Sequence, residues 1–322
     1  MPSGLPSTSP GTLPSTIVIL GTGGTIAGAA ASTSDNVGYT AAQRPVVDLL
    51  AALPQLAGQA IEAEQVAQLD SKDMDAATWQ RLARAVARQL ARPEVAGVVV
   101  THGTDTLEET AWLLQRVLAP ARPVVLVAAM RPATSIAADG PQNLLDAVAV
   151  ARTPGARGVV AVLAGRVHAA AELRKVHPYR TDAFDSGDAG LLGVVEEGVL
   201  RRFRDWPAGE PLGLGVLDRA PADWPWVEIV VSHAAARGDA VRALVAAGVH
   251  GLVVAATGNG TVHRELDAAL RAAEHSGVTV WRCTRCAQGA LVGPNRGPAA
   301  SMSPWQARLE LTLSRLASRG GG

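Results

Sequence analysis

Aromatic residues are scarce in this chain of 322 residues, which has seven Trp, two Tyr and two Phe. Neither sign of charge is in excess, because 29 Lys and Arg balance 29 Asp and Glu. A protein that binds nucleic acid needs a basic surface for the phosphates, and nothing in this composition supplies one. No apolar run approaches the roughly 18 residues of a membrane-spanning helix. The composition therefore disfavours nucleic acid and membranes as partners.

Cysteine is also rare, and the two that occur, Cys283 and Cys286, have CxxC spacing. A structural zinc site needs four ligands, and the chain has no second pair. The pair follows the apolar run Val278–Trp281, so we interpret it as two ordinary thiols at the end of a strand. No metal site is predicted.

The first residues lack the features of a secretory signal. Residues 1–15 are rich in Pro, Ser, Gly and Thr, and contain no Lys or Arg and no apolar stretch. We predict a disordered leader at 1–15 and a cytoplasmic protein.

Short apolar runs alternate with longer stretches of helical periodicity. The runs show no polar alternation, which is typical of strands covered on both faces in a parallel sheet. They are Ile17–Leu20, Val98–Val100, Val124–Val127, Val159–Val162, Val227–Val231 and Gly251–Ala255. The predicted helices are Asp75–Leu90, Thr106–Val117, Asp239–Ala247, Val262–Glu274 and Pro304–Leu316. This rhythm predicts an α/β protein with a doubly wound, mostly parallel sheet.

One segment interrupts the rhythm, because residues 199–226 contain four prolines, several glycines and four arginines. Such a composition is typical of a linker. We therefore predict a larger N-terminal α/β domain at 16–198, a linker at 199–226 with the boundary near residue 215, and a smaller C-terminal α/β domain at 227–322.

A glycine-rich turn, Leu20–Gly28, directly follows the first predicted strand. The dinucleotide-binding fingerprint fails, because its last small position, counted from Gly21 and Gly23, falls on Ile26. The phosphate-binding loop fails as well, because no Gly-Lys-Ser/Thr follows. What remains is either a purely structural turn or a backbone cradle that carries two hydroxyls, Thr22 and Thr25.

A second polar turn, Thr101–Thr106, follows another strand and opens a helix. A helix N-terminus favours an anion or a developing oxyanion. The plainer alternative is that Thr104 or Asp105 merely caps the helix. We interpret His102 as a structural residue that satisfies a backbone carbonyl.

Taken together, the segments Thr22–Gly28 and Thr101–Thr106 resemble the bacterial L-asparaginases. Further stretches agree with this resemblance, which runs from about Thr16 to about Leu316. They are Gln68–Met74, Ala128–Pro132 followed by Ser135 and Ala138–Pro141, Lys175 ahead of Thr181–Phe184, and Gly258–Gly260.

The resemblance implies a threonine amidohydrolase that converts L-asparagine, and to some extent L-glutamine, into the acid and ammonia without a cofactor. It implies that Thr25 is the nucleophile and that Tyr39, on a mobile lid, touches it. Thr104, Asp105 and Lys175 would form a second polar group beside the scissile bond. The implied substrate-contacting positions are Gly24, Ser71, Lys72, Thr104, Asp105, Ala129 and Asn259.

Ser71 would hold the α-carboxylate of the substrate, Asp105 its α-ammonium, and the carbonyl of Ala129 its amide nitrogen. Asn259 would reach in from a neighbouring subunit. The resemblance further implies a homotetramer built as a pair of intimate dimers.

A threonine nucleophile needs a base, and the candidates are Lys175 and Tyr39. Both side chains usually have a pKa of about 10, so either its pKa must be shifted or it must act through its neighbours. A carboxylate at Asp105 would keep Lys175 protonated. The bound substrate ammonium would partly cancel that effect, so we hypothesise that substrate binding helps to prime the base.

The sequence departs from the family pattern near the substrate amine. Many members carry Gln or Glu where this chain has Lys72, and no Asp or Glu lies between Glu274 and Glu310, where a partner carboxylate is expected. Two alternatives therefore stay open. One is an amino-acid sensor without turnover. The other is the amidase subunit of a tRNA-dependent amidotransferase, in which more than about 15 residues should precede the first strand.

Overall fold

The computed structural model describes residues 14–318, so the predicted leader lies almost wholly outside the described residues. The strands are β1 Thr16–Gly23, β2 Ile61–Leu69, β3 Val95–Thr101, β4 Val124–Val127, β5 Val159–Leu163, β6 Arg166–Ala169, β7 Arg174–Lys175, β8 Phe184–Asp185, β9 Gly193–Glu196, β10 Val199–Arg202, β11 Val227–Val231, β12 Gly251–Ala256 and β13 Thr279–Thr284. The helices are α1 Val46–Ala51, α2 Ala76–Leu90, α3 Leu107–Leu118, α4 Gly140–Ala151, α5 Asp239–Ala246, α6 Arg264–His275 and α7 Pro304–Ser318.

A large sheet of eight strands dominates the N-terminal part, in the order β10-β9-β6-β5-β4-β3-β1-β2. Strands β2, β1, β3, β4 and β5 are parallel, whereas β6, β9 and β10 pair in antiparallel fashion. The predicted mostly parallel sheet is confirmed. From β1 the chain continues to β2 on one side and later to β3 on the other. The carboxyl ends of β1 and β3 therefore flank a topological switch point, where ligands bind in open α/β sheets.

Helices cover both faces of this sheet, which explains the unbroken apolar runs. Along β1, Val18 and Leu20 are buried with side chains of α2 and α3, whereas Ile17 and Ile19 are buried with α1 and α4. Successive strand residues point to opposite faces, so a strand between two helical layers needs apolar residues at every position.

The edge strand β10 lies inside the predicted linker at 199–226. It pairs with β9, so the large sheet continues to residue 202 rather than ending at 198. Its pattern was missed because Arg201 and Arg202 are exposed, as is common on edge strands. The division into two domains stays a prediction.

The smaller parallel sheet has the order β11-β12-β13. Helices α5 and α6 cover one face, and α7 covers the other through Ala307 and Leu311. Helix α7 also buries Leu309 and Leu313 in the core of the large sheet. The predicted smaller α/β unit is confirmed, and α7 packs between the two units. Among residues 14–318, no helix is long and apolar enough to cross a membrane.

Candidate active site

Three loops meet at the switch point, and two glycines allow their backbones to touch. A Cβ atom on Gly24 would lie 2.3 Å from the backbone nitrogen of Gly103, and one on Gly103 would lie 2.3 Å from Oγ of Ser71. Gly24 also has a φ of 80°, which L side chains rarely adopt. Glycines at both positions therefore bring the loops after β1, β2 and β3 into direct contact.

The hydroxyl of Thr25 faces Tyr39. Thr25 begins a single 3₁₀ turn after β1, and its Oγ1 lies 2.7 Å from the hydroxyl oxygen of Tyr39. The residue is largely buried. The other hydroxyl of the turn, on Thr22, instead donates to the carbonyl of Thr101 at 2.8 Å. The two threonines are thereby distinguished, since Thr22 joins β1 to β3 and Thr25 faces another polar side chain.

The segment between Thr25 and Tyr39 folds over the site and is bonded to the loop before α4. The Ser135 hydroxyl donates to Oδ1 of Asn36 at 2.6 Å, and the N–H of Ile136 donates to the carbonyl of Thr33 at 3.0 Å. At its tip, backbone N–H groups of Gly38 and Val37 bind the Asp35 carboxylate and lower its pKa. The lid is thus held by a few hydrogen bonds at the surface.

A second polar group lies at the start of α3. The Lys175 ammonium donates to Oγ1 of Thr104 at 2.9 Å and to Oδ1 of Asp105 at 2.5 Å. Thr104 is buried, whereas the Asp105 side chain is 53% exposed and is accessible to a ligand. Ser71 is buried beside them, and its Oγ accepts the backbone N–H of Asp105 at 3.2 Å.

The two groups face one small cavity of about 220 Å³. Five of the predicted residues line it together: Thr25, Tyr39, Thr104, Asp105 and Lys175. Five other residues also line it and were not predicted: Asn36, Val37, Met130, Pro178 and Tyr179. The Arg131 guanidinium lies over the Tyr179 ring, 4.1 Å from its centroid. Tyr179 lies four residues after Lys175, in the chain's only Pro-Tyr-Arg, and this position was a signal that could have identified it.

Five predicted residues do not line this cavity: Gly24 and Ser71, which lie where the loops after β1, β2 and β3 meet, and Lys72, Ala129 and Asn259. Lys72 is exposed and binds Asp70 at 2.7 Å and Asp73 at 3.4 Å, so its charge is held away from the cavity. Ala129 is fully buried next to Met130. Asn259 lies beyond β12 in the smaller unit, where it exchanges hydrogen bonds with the backbone of Val292.

His102 is enclosed in the core. Its Nδ1 lies 2.7 Å from the carbonyl oxygen of Gly103, and its Nε2 lies 3.0 Å from Oγ1 of Thr110. Complete burial lowers its pKa to about 4, so the ring is neutral at physiological pH. These contacts agree with a structural role.

This burial predicts acid sensitivity. The pKa of His102 is below its ordinary value, so its stabilising effect is complete above about pH 6.5 and is lost as the pH falls towards about 4. The loss should be on the order of 3 kcal/mol. We expect His102→Gln to be less stable than the wild type at pH 7.5 and to show a smaller difference at pH 4.5. Urea unfolding at both pH values measures this difference, and an equal difference at both would refute it.

The two cysteines differ in their surroundings. Cys283 is buried in β13, where burial raises its pKa to about 11, and Cys286 is exposed. Within residues 14–318 no group of three or more His, Cys, Asp or Glu side chains is placed to hold a metal ion.

Two family models match the chain. The model described as "Asparaginase, N-terminal" matches residues 16–207, and "Glutaminase/Asparaginase C-terminal domain" matches residues 226–314.

Individual relatives agree with these matches. The chain is 36% identical over 311 residues to L-asparaginase 2 of Bacillus subtilis, covering 92% of this chain and 82% of that protein. It is 38% identical over 280 residues to a glutaminase-asparaginase of Pseudomonas fluorescens, covering 86% and 77% respectively. The crystal structure of a probable cytoplasmic L-asparaginase from Campylobacter jejuni superposes with a TM-score of 0.87 at 35% identity, covering 94% of this chain and 95% of that one.

Proposed function

This chain belongs to the asparaginase family, and from that premise we propose that Thr25 is the nucleophile with which it hydrolyses asparagine. The protein is an amidohydrolase that acts on L-asparagine, and its similarity to glutaminase-asparaginases makes L-glutamine a second candidate substrate. One observation carries the proposal: the Thr25 hydroxyl lies in a small cavity opposite the Lys175–Thr104–Asp105 group.

In the proposed first step, Oγ1 of Thr25 attacks the side-chain amide carbon of the substrate. Its proton passes to a base, and the C–N bond of the resulting tetrahedral intermediate breaks. The amide nitrogen takes up a proton and leaves as ammonia. Water then attacks the acyl-threonine, releases aspartate and restores the hydroxyl. No cofactor takes part in these steps.

Two groups are candidates for the base. Tyr39 lies 2.7 Å from the Thr25 hydroxyl, whereas Lys175 is hydrogen-bonded to Thr104. We favour Lys175, because it lines the same cavity as Thr25 and its Nζ is hydrogen-bonded to the buried Thr104 hydroxyl, which can pass a proton on. We propose that the substrate ammonium, once bound to Asp105, helps to prime this base. In this account Tyr39 relays the proton or orients the hydroxyl.

Ser71 and Asp105 are proposed to bind the charged ends of the substrate. Both side chains lie at the junction of the loops after β2 and β3, and the Asp105 carboxylate is partly exposed. Removing a hydrogen bond to a charged group costs about 1.5–3 kcal/mol.

Ser71→Ala is therefore expected to raise KM for asparagine by roughly tenfold to a hundredfold and to change kcat by less than about threefold. Steady-state kinetics measures both constants. A large fall in kcat at unchanged KM would contradict a binding role for Ser71.

The amine-binding region carries less negative charge than the family pattern suggests. Lys72 binds Asp70 and Asp73 outside the cavity, so it neither repels nor replaces a ligand of the substrate amine. We propose that Asp105 is the main carboxylate for the ammonium within this chain. Asparagine and glutamine differ by one methylene, which a pocket usually discriminates by about 1–3 kcal/mol. Ammonia release with the two amides side by side measures the preference, and no release from either would favour the sensor alternative.

The assembly is proposed to be a homotetramer of two intimate dimers, with Asn259 of one chain completing the site of another. Apolar side chains are exposed on the lid and on the loop bonded to it, at Val37 and Ile136. Light scattering on the purified protein tests this, and a monomer that retains full activity would refute it.

A cytoplasmic location is also proposed. The exposed thiol of Cys286 and the buried thiol of Cys283 fit a reducing compartment. Cell fractionation of the source organism tests this proposal.

A further inference from the structure

Lys175 lies on a strand that is too short to fix it. Strand β7 has two residues, and its partner β8 has two as well, with Lys175 opposite Phe184. Such a ribbon has little stability of its own. The backbone N–H of Lys175 is bound by a side chain instead: it donates to Oε2 of Glu108 at 2.8 Å.

Glu108 belongs to the same stretch of chain that binds the other end of the lysine. Thr104 and Asp105, just before α3, accept hydrogen bonds from Nζ, and Glu108 in the first turn of α3 accepts one from the backbone nitrogen. One rigid element therefore binds Lys175 at both ends. We propose that Glu108 is a positioning residue for the reaction, which holds the backbone of Lys175 so that Nζ reaches the substrate cavity.

Glu108 lies behind the lysine and does not line the substrate cavity. It is 5% exposed and faces a separate cavity of about 710 Å³, which is also lined by residues of β7, β11 and the start of α7 and which we call the rear cavity. Lys175 lines both cavities. Protons can therefore reach the Glu108 carboxyl from the rear cavity while the substrate cavity is occupied.

The charged groups around Glu108 come from several elements. Glu109 is next to it on α3 but is bound to Arg308 of α7 at 3.0 Å. From β7, Arg174 and Lys175 act on it electrostatically. The rear cavity also contains Glu172, Asp188 and Arg285. Burial outweighs the two cations, and the pKa of Glu108 is raised to about 7.

The hydrogen bond to Lys175 therefore changes character within the working pH range. A carboxylate accepts a hydrogen bond more strongly than a neutral carboxylic acid. As the pH falls through about 7, Glu108 becomes protonated and holds the Lys175 backbone less firmly. We therefore expect the pH profile of kcat to have an acidic limb near pH 7, on which kcat falls as the pH is lowered. KM should change little, because Ser71 makes no contact with Glu108.

The test rests on the proposed role of Lys175 and uses the full-length protein. Glu108→Gln keeps an acceptor for the Lys175 N–H but cannot ionise. Its kcat should change little between pH 6 and pH 8 and should stay near the low-pH value of the wild type, so that the fall in wild-type kcat near pH 7 is absent from its profile. Glu108→Ala removes the acceptor and should lower kcat about tenfold or more at pH 8, with KM within about twofold. Glu109→Gln is the matched control and should keep the wild-type limb.

The outcomes separate the inference from the proposed function. A limb near pH 7 that persists in Glu108→Gln, or one absent from the wild type, would overturn the positioning role. If Glu108→Ala does not fold, the profile of Glu108→Gln still decides. Should Lys175→Met be fully active, the proposed base is wrong, irrespective of the result at Glu108.

Discussion

Thr25→Ala is expected to lower ammonia release from asparagine by a factor on the order of 10⁴ or more, because no acyl-enzyme can form without the nucleophile. The substitution removes one hydroxyl and a methyl group at a site where the backbone is set by neighbouring glycines. The fold should therefore persist, and KM should change far less than kcat. A coupled ammonia assay with thermal unfolding as a check measures both effects.

Thr22→Ala is the matched control for this variant. Thr22 lies three residues earlier on the same turn, but its hydroxyl is bonded to the carbonyl of Thr101 and does not line the cavity. We expect a loss of stability of about 1 kcal/mol and a kcat within about threefold of the wild type. Activity of Thr25→Ala within a hundredfold of the wild type would exclude Thr25 as the nucleophile.

Lys175→Met should lower kcat by about 10²–10⁴-fold, as expected for the loss of a general base. Methionine has nearly the same length and keeps the apolar contacts of the stem, so the change removes mainly the amine and its hydrogen bonds to Thr104 and Asp105. Steady-state kinetics above and below pH 7 measures this effect.

The chain offers a direct control, because Lys72 is its only other lysine. Lys72→Met removes the same charge outside the cavity, and kcat should change less than about threefold. Tyr39→Phe distinguishes the alternative base. If kcat of Tyr39→Phe falls by about 10²–10⁴-fold while kcat of Lys175→Met stays near the wild-type value, Tyr39 is the base.

The sequence predicted the central strands of the large sheet well and its edge strands poorly. Strands β1, β3, β4 and β5 are covered on both faces, and this produces apolar runs that are visible without any partner. Strand β2 is an edge strand, on which Glu62 and Glu64 bind Arg92 and Arg88 at the surface. Its alternation of charged and small residues has no strong strand signal, because tertiary pairing decides its structure.

The site was only partly predictable for a similar reason. Thr25 and Thr104 each follow an apolar strand, so local pattern alone indicates that they share one sheet edge. Lys175 lies about 70 residues beyond Thr104 and was identified only through the resemblance. Tyr179 and Asn36 were missed, since a small antiparallel ribbon and a lid place them at the cavity. In the sequence, Glu108 is one of two acidic residues in the first turn of α3. Only its contact with Lys175 in the structure distinguishes it from Glu109.

Thr104 lines the same cavity as Thr25 and is the alternative threonine nucleophile. Thr104 is hydrogen-bonded to Lys175 at 2.9 Å, whereas Thr25 is bonded to Tyr39 at 2.7 Å. The Thr104 hydroxyl is the more strongly hydrogen-bonded of the two, because it accepts a hydrogen bond from Nζ of Lys175. In our account it relays a proton and stays unmodified.

A trapping experiment decides between the two threonines most directly. An asparagine analogue whose side-chain amide is replaced by a chloromethyl ketone should alkylate the nucleophile: the hydroxyl oxygen forms an ether bond to the methylene carbon, chloride leaves, and the hydroxyl proton passes to the base. The ether survives digestion, so peptide mass spectrometry locates the modification. We predict that it lies on Thr25 and that excess aspartate slows the labelling. Modification of Thr104, or an unmodified protein that still hydrolyses asparagine, would contradict the account.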